Sequence, residues 1–230
     1  VAPCACTIAL LAAMPSLKLT YFGIQGPAEA SRLALTIAGI PFDDVRIDRD
    51  TMLKMREEGK LSVAGVAGTQ VPQLEVDGKI LQQSQAIATY CAKLANLYPS
   101  DPWDAAKADE ATQFIIQDIR GRLIEPTMRI DDAQEKAKAR AELNDTKLPE
   151  KFAILDALLA PSGFLVGDSL TIADLHLYVL CNWIGMGTID GVSKEMLLKF
   201  NNVAAFVKKV NELEKVKAWN AEKNPKLPWC

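Results

Sequence analysis

The chain has one histidine, His176, and only five cysteines in 230 residues. A single histidine excludes any mechanism that needs two imidazoles from one chain. Cys4 and Cys6 fall in the first segment, Cys91 and Cys181 in apolar stretches, and Cys230 is the last residue. No CxxC pair and no Cys/His cluster has metal spacing, so no metal site is expected. An odd cysteine count in a chain too large to need disulfide staples suits the reducing cytoplasm, with Cys91 and Cys181 as small core hydrophobes. There is no apolar run of the ~18–20 residues that a membrane span requires. A basic excess is also missing: 26 Lys and Arg stand against 29 Asp and Glu, net −3, which leaves no electrostatic footprint for nucleic acid.

What remains is ordinary in bulk. The hydrophobic share of 49 % and charged share of 24 % match globular proteins and exclude a disordered chain, a collagen-like repeat and a coiled coil. The length lies between one large domain and two modest ones. Residues 1–13 (VAPCACTIALLAA) are apolar and uncharged, and no Lys or Arg precedes Lys18. They lack the basic start of a secretory signal. They read as a leader outside the fold, with Met14 the natural start, or as the remnant of a targeting peptide.

From Leu17 the alternation Leu-Lys-Leu-Thr-Tyr predicts a strand with one face buried. Gly26-Pro27 opens an Ala-rich helix to about Ile37, Pro being suited to a first helical turn. Phe42 to about Ile47 is a second strand. Thr51–Lys60 is polar and reads as a partial helix, followed by a glycine-containing loop through Gly68. Two β-rich runs then flank Asp77-Gly78, a strong two-residue hairpin signal. A helix follows from Ser84. The order is β-α-β then β-β-α, a small mixed sheet with helices on it, and it exhausts the strand-like sequence.

Leu97–Trp103 carries two prolines and reads as a linker. The rest is helical: about 104–124, 133–159 and 171–186, then shorter helices from about Lys194, Val203 and Val216. Thr171 and Asp174 have the spacing of a capping box, with Leu170 and Leu175 as a hydrophobic staple. The helix beyond is apolar nearly all round and is expected to be a buried spine holding His176 as a core histidine. The Lys/Glu-rich run Glu135–Glu142 reads as a solvated face.

This sheet-then-helices order, with the hairpin entered by Val71-Pro72 and followed by Gln83-Ser84, resembles a cytosolic glutathione transferase. The resemblance runs from Lys18 to about Pro228. Four segments carry it: YFGIQGPAEASRL (21–33), QVPQLEVDGKILQQSQAIATY (70–90), the acidic position in QDIRGRL (117–123) and FLVGDSLTIADLHL (164–177). Tyr21 at the end of the first strand looks like the Tyr-type classes, and the hairpin is most similar to the sigma class. The resemblance implies a thioredoxin-like domain over 14–96, a linker over 97–105 and an all-helical domain over 106–230.

It also implies roles. The Tyr21 hydroxyl would donate a hydrogen bond to the glutathione thiolate. Gln70, Val71 and Pro72, with a cis peptide before Pro72, would meet its cysteinyl part. Gln83 and Ser84 would hold its γ-glutamyl end, where a Ser at a helix start equally serves as an ordinary cap. Asp118 would reach the glutathione amino group across a homodimer interface, and Lys54 is a candidate for the glycyl carboxylate. Phe22, Arg122 and Pro126 are candidates to line the site of an apolar electrophile.

The implied activity is conjugation of glutathione to such electrophiles or reduction of peroxides, in the cytoplasm, with no metal. A non-catalytic, crystallin-like relative and a sigma-like prostaglandin isomerase are the alternatives. Two departures stand out. Pro27 occupies the place where Tyr-type members usually carry Arg, and no Trp lies in Asp50–Lys60 to help clamp the glycyl end.

Overall fold

The computed structural model describes residues 14–63, 66–67 and 70–227, with the backbone alone for 62, 63, 66 and 67. The leader 1–13, Cys4, Cys6, Gly65, Gly68, Pro228 and Cys230 lie outside the described residues. By contacts the chain divides into two compact units. One takes residues up to Ile24 with Gly39–Ile87; the other takes Gln25–Ala38 with the residues from Ala88 on.

The first unit is built on a four-stranded sheet in the order β2-β1-β5-β6. Strand β1 (Leu17–Phe22) runs parallel to β2 (Asp43–Ile47) and antiparallel to β5 (Gln73–Val76). Alternation holds in part: Leu17, Leu19 and Tyr21 are buried and Lys18 and Phe22 partly exposed, but Thr20, expected on the open face, is buried as well. Strands β5 and β6 (Lys79–Gln82) form the hairpin. At its tip both Asp77 (φ 48°) and Gly78 (φ 79°) are left-handed, the requirement of the turn whose twist matches paired strands. Asp77 also ties the hairpin to the start of β1, its carboxylate accepting the Ser16 N–H at 2.9 Å.

Two expectations for this unit need correction. The polar stretch after β2 is a full helix, α2 (Arg49–Glu57), one element after α1 (Glu29–Ala38). Its cap is Asp48, whose carboxylate accepts the Thr51 N–H at 2.8 Å; hydrogen bonds from the Thr51 side chain and then its backbone lower the pKa of that carboxyl. Lys54 and Arg56 in its last turn favour the negative end of the helix dipole. Nor is strand-like sequence exhausted by four strands: β3 (Ser62–Val63) and β4 (Val66–Ala67) pair antiparallel in the glycine-containing loop.

Helix α3 (Ser84–Leu94) leads to the helical unit, where Asp101 caps α4 (Pro102–Gln113) through two backbone bonds, at 2.9 and 3.0 Å. The long helices expected over 104–124 and 133–159 are each interrupted. A π-helical stretch, Phe114–Ile124, precedes α5 (Glu125–Met128), and another, Leu143–Lys147, joins α6 (Ala133–Glu142) to α7 (Leu148–Leu159). Each stretch runs up to a proline at the second position of the next segment, Pro126 or Pro149. Proline supplies no N–H and its ring crowds the carbonyl one turn back, so a wider hydrogen-bond register there relieves both problems. The face over Glu135–Glu142 is solvated except at Arg140, which is buried and 3.4 Å from Asp190.

The spine is α8 (Ile172–Gly185), with Ile172–Tyr178 buried without a break. Against it pack α1 and α4, and α9 (Lys194–Leu197), α10 (Asn201–Asn211) and α11 (Glu214–Lys223) complete the unit. At its start the Asp174 carboxylate accepts the Thr171 N–H at 2.7 Å, the Thr171 hydroxyl at 2.8 Å and the Leu165 N–H at 2.8 Å. No helix among the described residues is long and apolar enough to cross a membrane.

His176 is a core histidine. Burial, and secondarily the Arg120 charge, push its pKa from 6.5 down to about 4. The native state therefore keeps it neutral where the unfolded chain already binds a proton. Its contribution is intact above pH 6.5 and is lost as pH falls toward 4, amounting to about 3 kcal/mol at ~1.36 kcal/mol per pKa unit. Burial raises the Asp174 carboxyl, which acts in the opposite sense as acid is added. Comparing wild type with His176→Leu isolates the histidine: urea unfolding between pH 4 and 6.5 is expected to show a flatter stability–pH slope in the variant.

Candidate active site

Strand register lines up three of the expected residues. Thr20 of β1 faces Gln73 of β5, and Gln73 faces Gln82 of β6. One residue further on, Tyr21, Pro72 and Gln83 follow one another along the same end of the sheet. Below that row the Gln82 amide donates to the Gln73 side-chain oxygen at 3.0 Å, a buried bond that fixes β6 against β5.

Tyr21 is buried, its ring meeting Phe22 edge-on with centroids 5.2 Å apart. The Val71–Pro72 peptide is cis, with both residues buried and Gln70 exposed. Gln83 is left-handed at φ 73°, a conformation that costs a non-glycine residue about 1–3 kcal/mol and collects at functional sites. Its carbonyl accepts the Ile87 N–H at 3.0 Å, the first bond of α3. Ser84 is thus the first residue inside the helix rather than its cap, a correction to the capping alternative. It stands in the first turn, whose N–H groups have no acceptor within the helix, at the positive end of the dipole. Such a helix start suits a carboxylate.

The remaining candidates are placed as follows. Lys54 is exposed on α2, and of its neighbours Lys60 pairs with Glu58 at 2.7 Å. Asp118, Arg122 and Pro126 belong to the helical unit, the first two on the π-helical stretch and Pro126 on α5. Arg122 Nη1 donates to Asp118 Oδ1 at 2.6 Å, so this carboxylate already has a cation of its own helix beside it. Neither described cysteine suits nucleophilic work. Burial pushes the Cys91 thiol up to about 12 and the Cys181 thiol higher still, keeping both protonated and inert.

Residues 17–93 match the family description "Glutathione S-transferase, N-terminal domain", and residues 117–223 match "Glutathione S-transferase, C-terminal domain". The chain is 32 % identical over 223 residues to Glutathione S-transferase 1 of Ascaris suum, covering 94 % of this chain and all of that one. The chain belongs to the glutathione S-transferase family. The transferase is also 32 % identical to a hematopoietic prostaglandin D synthase of Gallus gallus, over 93 % of this chain and 98 % of the relative. Among solved structures it resembles prostaglandin synthase D of Nilaparvata lugens, at 31 % identity and a TM-score of 0.78, with 90 % of this chain and 98 % of that one covered.

The fold is accordingly a thioredoxin-like domain followed by an all-helical one, and glutathione is the family's co-substrate. One group of the transferase escaped the sequence reading: Glu29, buried at the first residue of α1 and bonded to Arg32, Trp219 and Asn224. The i, i+3 spacing of Glu29 and Arg32 was the only local signal. Partners 190 and 195 residues away leave no trace in a single sequence.

Proposed function

We propose that the chain is a Tyr-type transferase most similar to the sigma class. It ionises glutathione at the row Tyr21–Pro72–Gln83 and adds it to small apolar electrophiles, or reduces peroxides with it. That row, at one end of three adjacent strands and continued by Ser84 at a helix start, is the observation that carries the reading. It brings a phenol donor, backbone polar groups and an anion-favouring helix start to one edge of a rigid sheet.

In the mechanism, the γ-glutamyl end is held by Gln83 and the first turn of α3, with the Ser84 hydroxyl donating to its carboxylate. The backbone around Val71 orients the cysteinyl portion. The thiol proton leaves to water and the Tyr21 hydroxyl donates to the resulting thiolate. The sulfur then attacks the electrophilic carbon, and the leaving group departs with the bonding pair. Catalysis consists of positioning plus stabilisation of the anion, without a covalent enzyme intermediate. Phe22, Arg122 and Pro126 are assigned to the electrophile side and Lys54 to the glycyl carboxylate. We assign residues 14–96 to glutathione binding, 97–105 to the linker and 106–230 to the helical domain. Work in the cytoplasm as a homodimer, with Asp118 reaching the partner-bound glutathione, and a detoxifying role complete the proposal.

Ser84→Ala tests the binding half. Loss of a hydrogen bond to a charged group costs ~1.5–3 kcal/mol, so the glutathione Kd measured by calorimetry is expected to rise about ten- to a hundredfold. An unchanged Kd would remove Ser84 from the site. A second reading, isomerisation of a prostaglandin endoperoxide, is favoured by the two relatives named hematopoietic prostaglandin D synthase and prostaglandin synthase D. Incubation with that endoperoxide and glutathione, with products resolved by mass spectrometry, decides it: a D-type product supports the isomerase, and conjugates or spontaneous products alone refute it.

A further inference from the structure

The helical unit carries a cleft of about 370 Å³ that the glutathione chemistry does not use. Its apolar walls are Ile37 from the end of α1, Leu97 and Leu170 from two loops, and Val210 and Leu213 at the end of α10 and just beyond it. All of these residues belong to the same compact unit. The volume falls in the range of small-molecule sites, ~300–1,000 Å³, whose linings are largely apolar with a few polar groups. Leu213 keeps 38 % of its surface exposed, so part of the wall is open to a ligand.

What distinguishes this cleft is its charge. Lys209 and Phe164 both line it, with Lys209 Nζ 3.6 Å from the centre of the Phe164 ring. The ring attracts the ammonium through its negative face but leaves the net charge uncancelled. Among the described residues Lys209 has no carboxylate partner, and the nearby Glu212 pairs with Lys208 at 3.9 Å instead. A second cation reaches the same rim, Lys215 Nζ donating to the Ile37 carbonyl at 3.0 Å. Ser169 and Asn96 add a hydroxyl and an amide. Among the described residues no acidic side chain lines the cleft, and Asp168, beside Ser169 in the chain, lines a different one.

A further cleft of about 350 Å³, at Leu197, Leu198, Val203 and Val207, is apolar as well. Its rim cation is Lys208, already matched by Glu212, which lines it too. Apolar walls alone select no ligand class. Apolar walls beside an unmatched cation select an anion with an apolar body, since a neutral or cationic ligand leaves that charge unanswered. We propose that the Lys209 cleft binds a small organic anion, a carboxylate on an aliphatic chain. The carboxylate meets Lys209, and the chain lies against Leu97, Leu170, Val210 and Leu213. The site stands independently of the reading of Tyr21.

Octanoate serves as the probe, with octan-1-ol as its uncharged counterpart and octylammonium as its cationic one. Titrations of the full chain followed by backbone amide NMR read both affinity and place. Octanoate is expected to bind about tenfold more tightly than either comparison, with a preference that fades as salt is raised. Lys209→Met keeps the aliphatic stem and removes the charge. It should weaken octanoate about tenfold and leave octan-1-ol within about twofold. Lys208→Met removes an equal charge next to Lys209 in the chain but outside this lining, and should change neither. Leu213→Asp sets a carboxylate on the rim, at a helix-start position that favours Asp, and should weaken octanoate at least about tenfold.

The result that supports the site is a saturable set of octanoate shifts around Leu170 and residues 209–213, lost in Lys209→Met and kept in Lys208→Met. Equal losses in the two lysine variants overturn it, because overall charge then suffices. Octan-1-ol binding as tightly as octanoate overturns it too, leaving an apolar surface without selectivity. So do octanoate shifts that fall only elsewhere in the chain, or none at millimolar concentration. Thermal unfolding checks that each variant is folded, and should Leu213→Asp not fold, the lysine pair decides alone. Conjugation by Lys209→Met should match wild type, so failure of this site and failure of the transferase reading are separate results.

Discussion

Tyr21→Phe is expected to reduce glutathione conjugation near neutral pH by roughly ten- to thirtyfold while glutathione still binds. A hydrogen bond to a charged group contributes ~1.5–3 kcal/mol, or about 1–2 pKa units in the bound thiol. A thiol of pKa ~8.5 is a few per cent ionised at pH 7, so losing this donor lowers the reactive fraction roughly ten- to thirtyfold, the upper bound being full ionisation in the wild type. The loss should shrink as pH rises and the thiolate forms unaided. Initial rates with a chlorinated nitroarene from pH 6 to 9 check both the size and the trend. A loss that stays constant across that range would place Tyr21 in packing or electrophile binding instead.

The second large effect concerns stability. Asp174 is fully buried and accepts three hydrogen bonds, two of them from the backbone amides of Leu165 and Thr171. Asp174→Ala leaves both amides buried without an acceptor, at ~1–3 kcal/mol each, and opens a void beside the start of α8. A loss of about 3–5 kcal/mol is expected, against a whole-domain stability of only ~5–15 kcal/mol. Urea unfolding measures it. Asp174→Asn, which keeps the volume and one acceptor oxygen, should lose less but still measurably, and an Asn variant as stable as wild type would assign the Ala loss to volume rather than to the hydrogen bonds.

Much of the fold was legible because its signals are local. Alternation from Leu17, the Asp77-Gly78 turn and the Thr171/Asp174 spacing each act within a few residues, and each marks the element expected of it, though Thr20 is buried against the alternation. Helix α2 was only partly legible because its exposed faces leave no apolar period; the cap at Asp48 was the readable sign. The two π-helical interruptions were also local, at Pro126 and Pro149, yet helix propensity alone does not show how a chain absorbs a proline. The candidate site divides in the same way. Tyr21, Val71-Pro72 and Gln83-Ser84 were found through the resemblance, and strand register supplies the reason they share an edge. The left-handed Gln83 and the partners of Glu29 depend on tertiary structure, and no pattern in the sequence marks them.

Pro27 sharpens the question of what ionises the sulfur, since the usual first-helix arginine is missing there. If Tyr21 at the end of β1 suffices, glutathione bound to the wild-type protein must carry a thiol of depressed pKa. A pH titration of the thiolate absorbance of bound glutathione measures this directly. The expected result is a pKa about 1–2 units below that of free glutathione, returning toward the free value in Tyr21→Phe. A bound thiol that titrates like free glutathione, in a protein that still binds it, would contradict the central claim and leave a binding protein of the same fold.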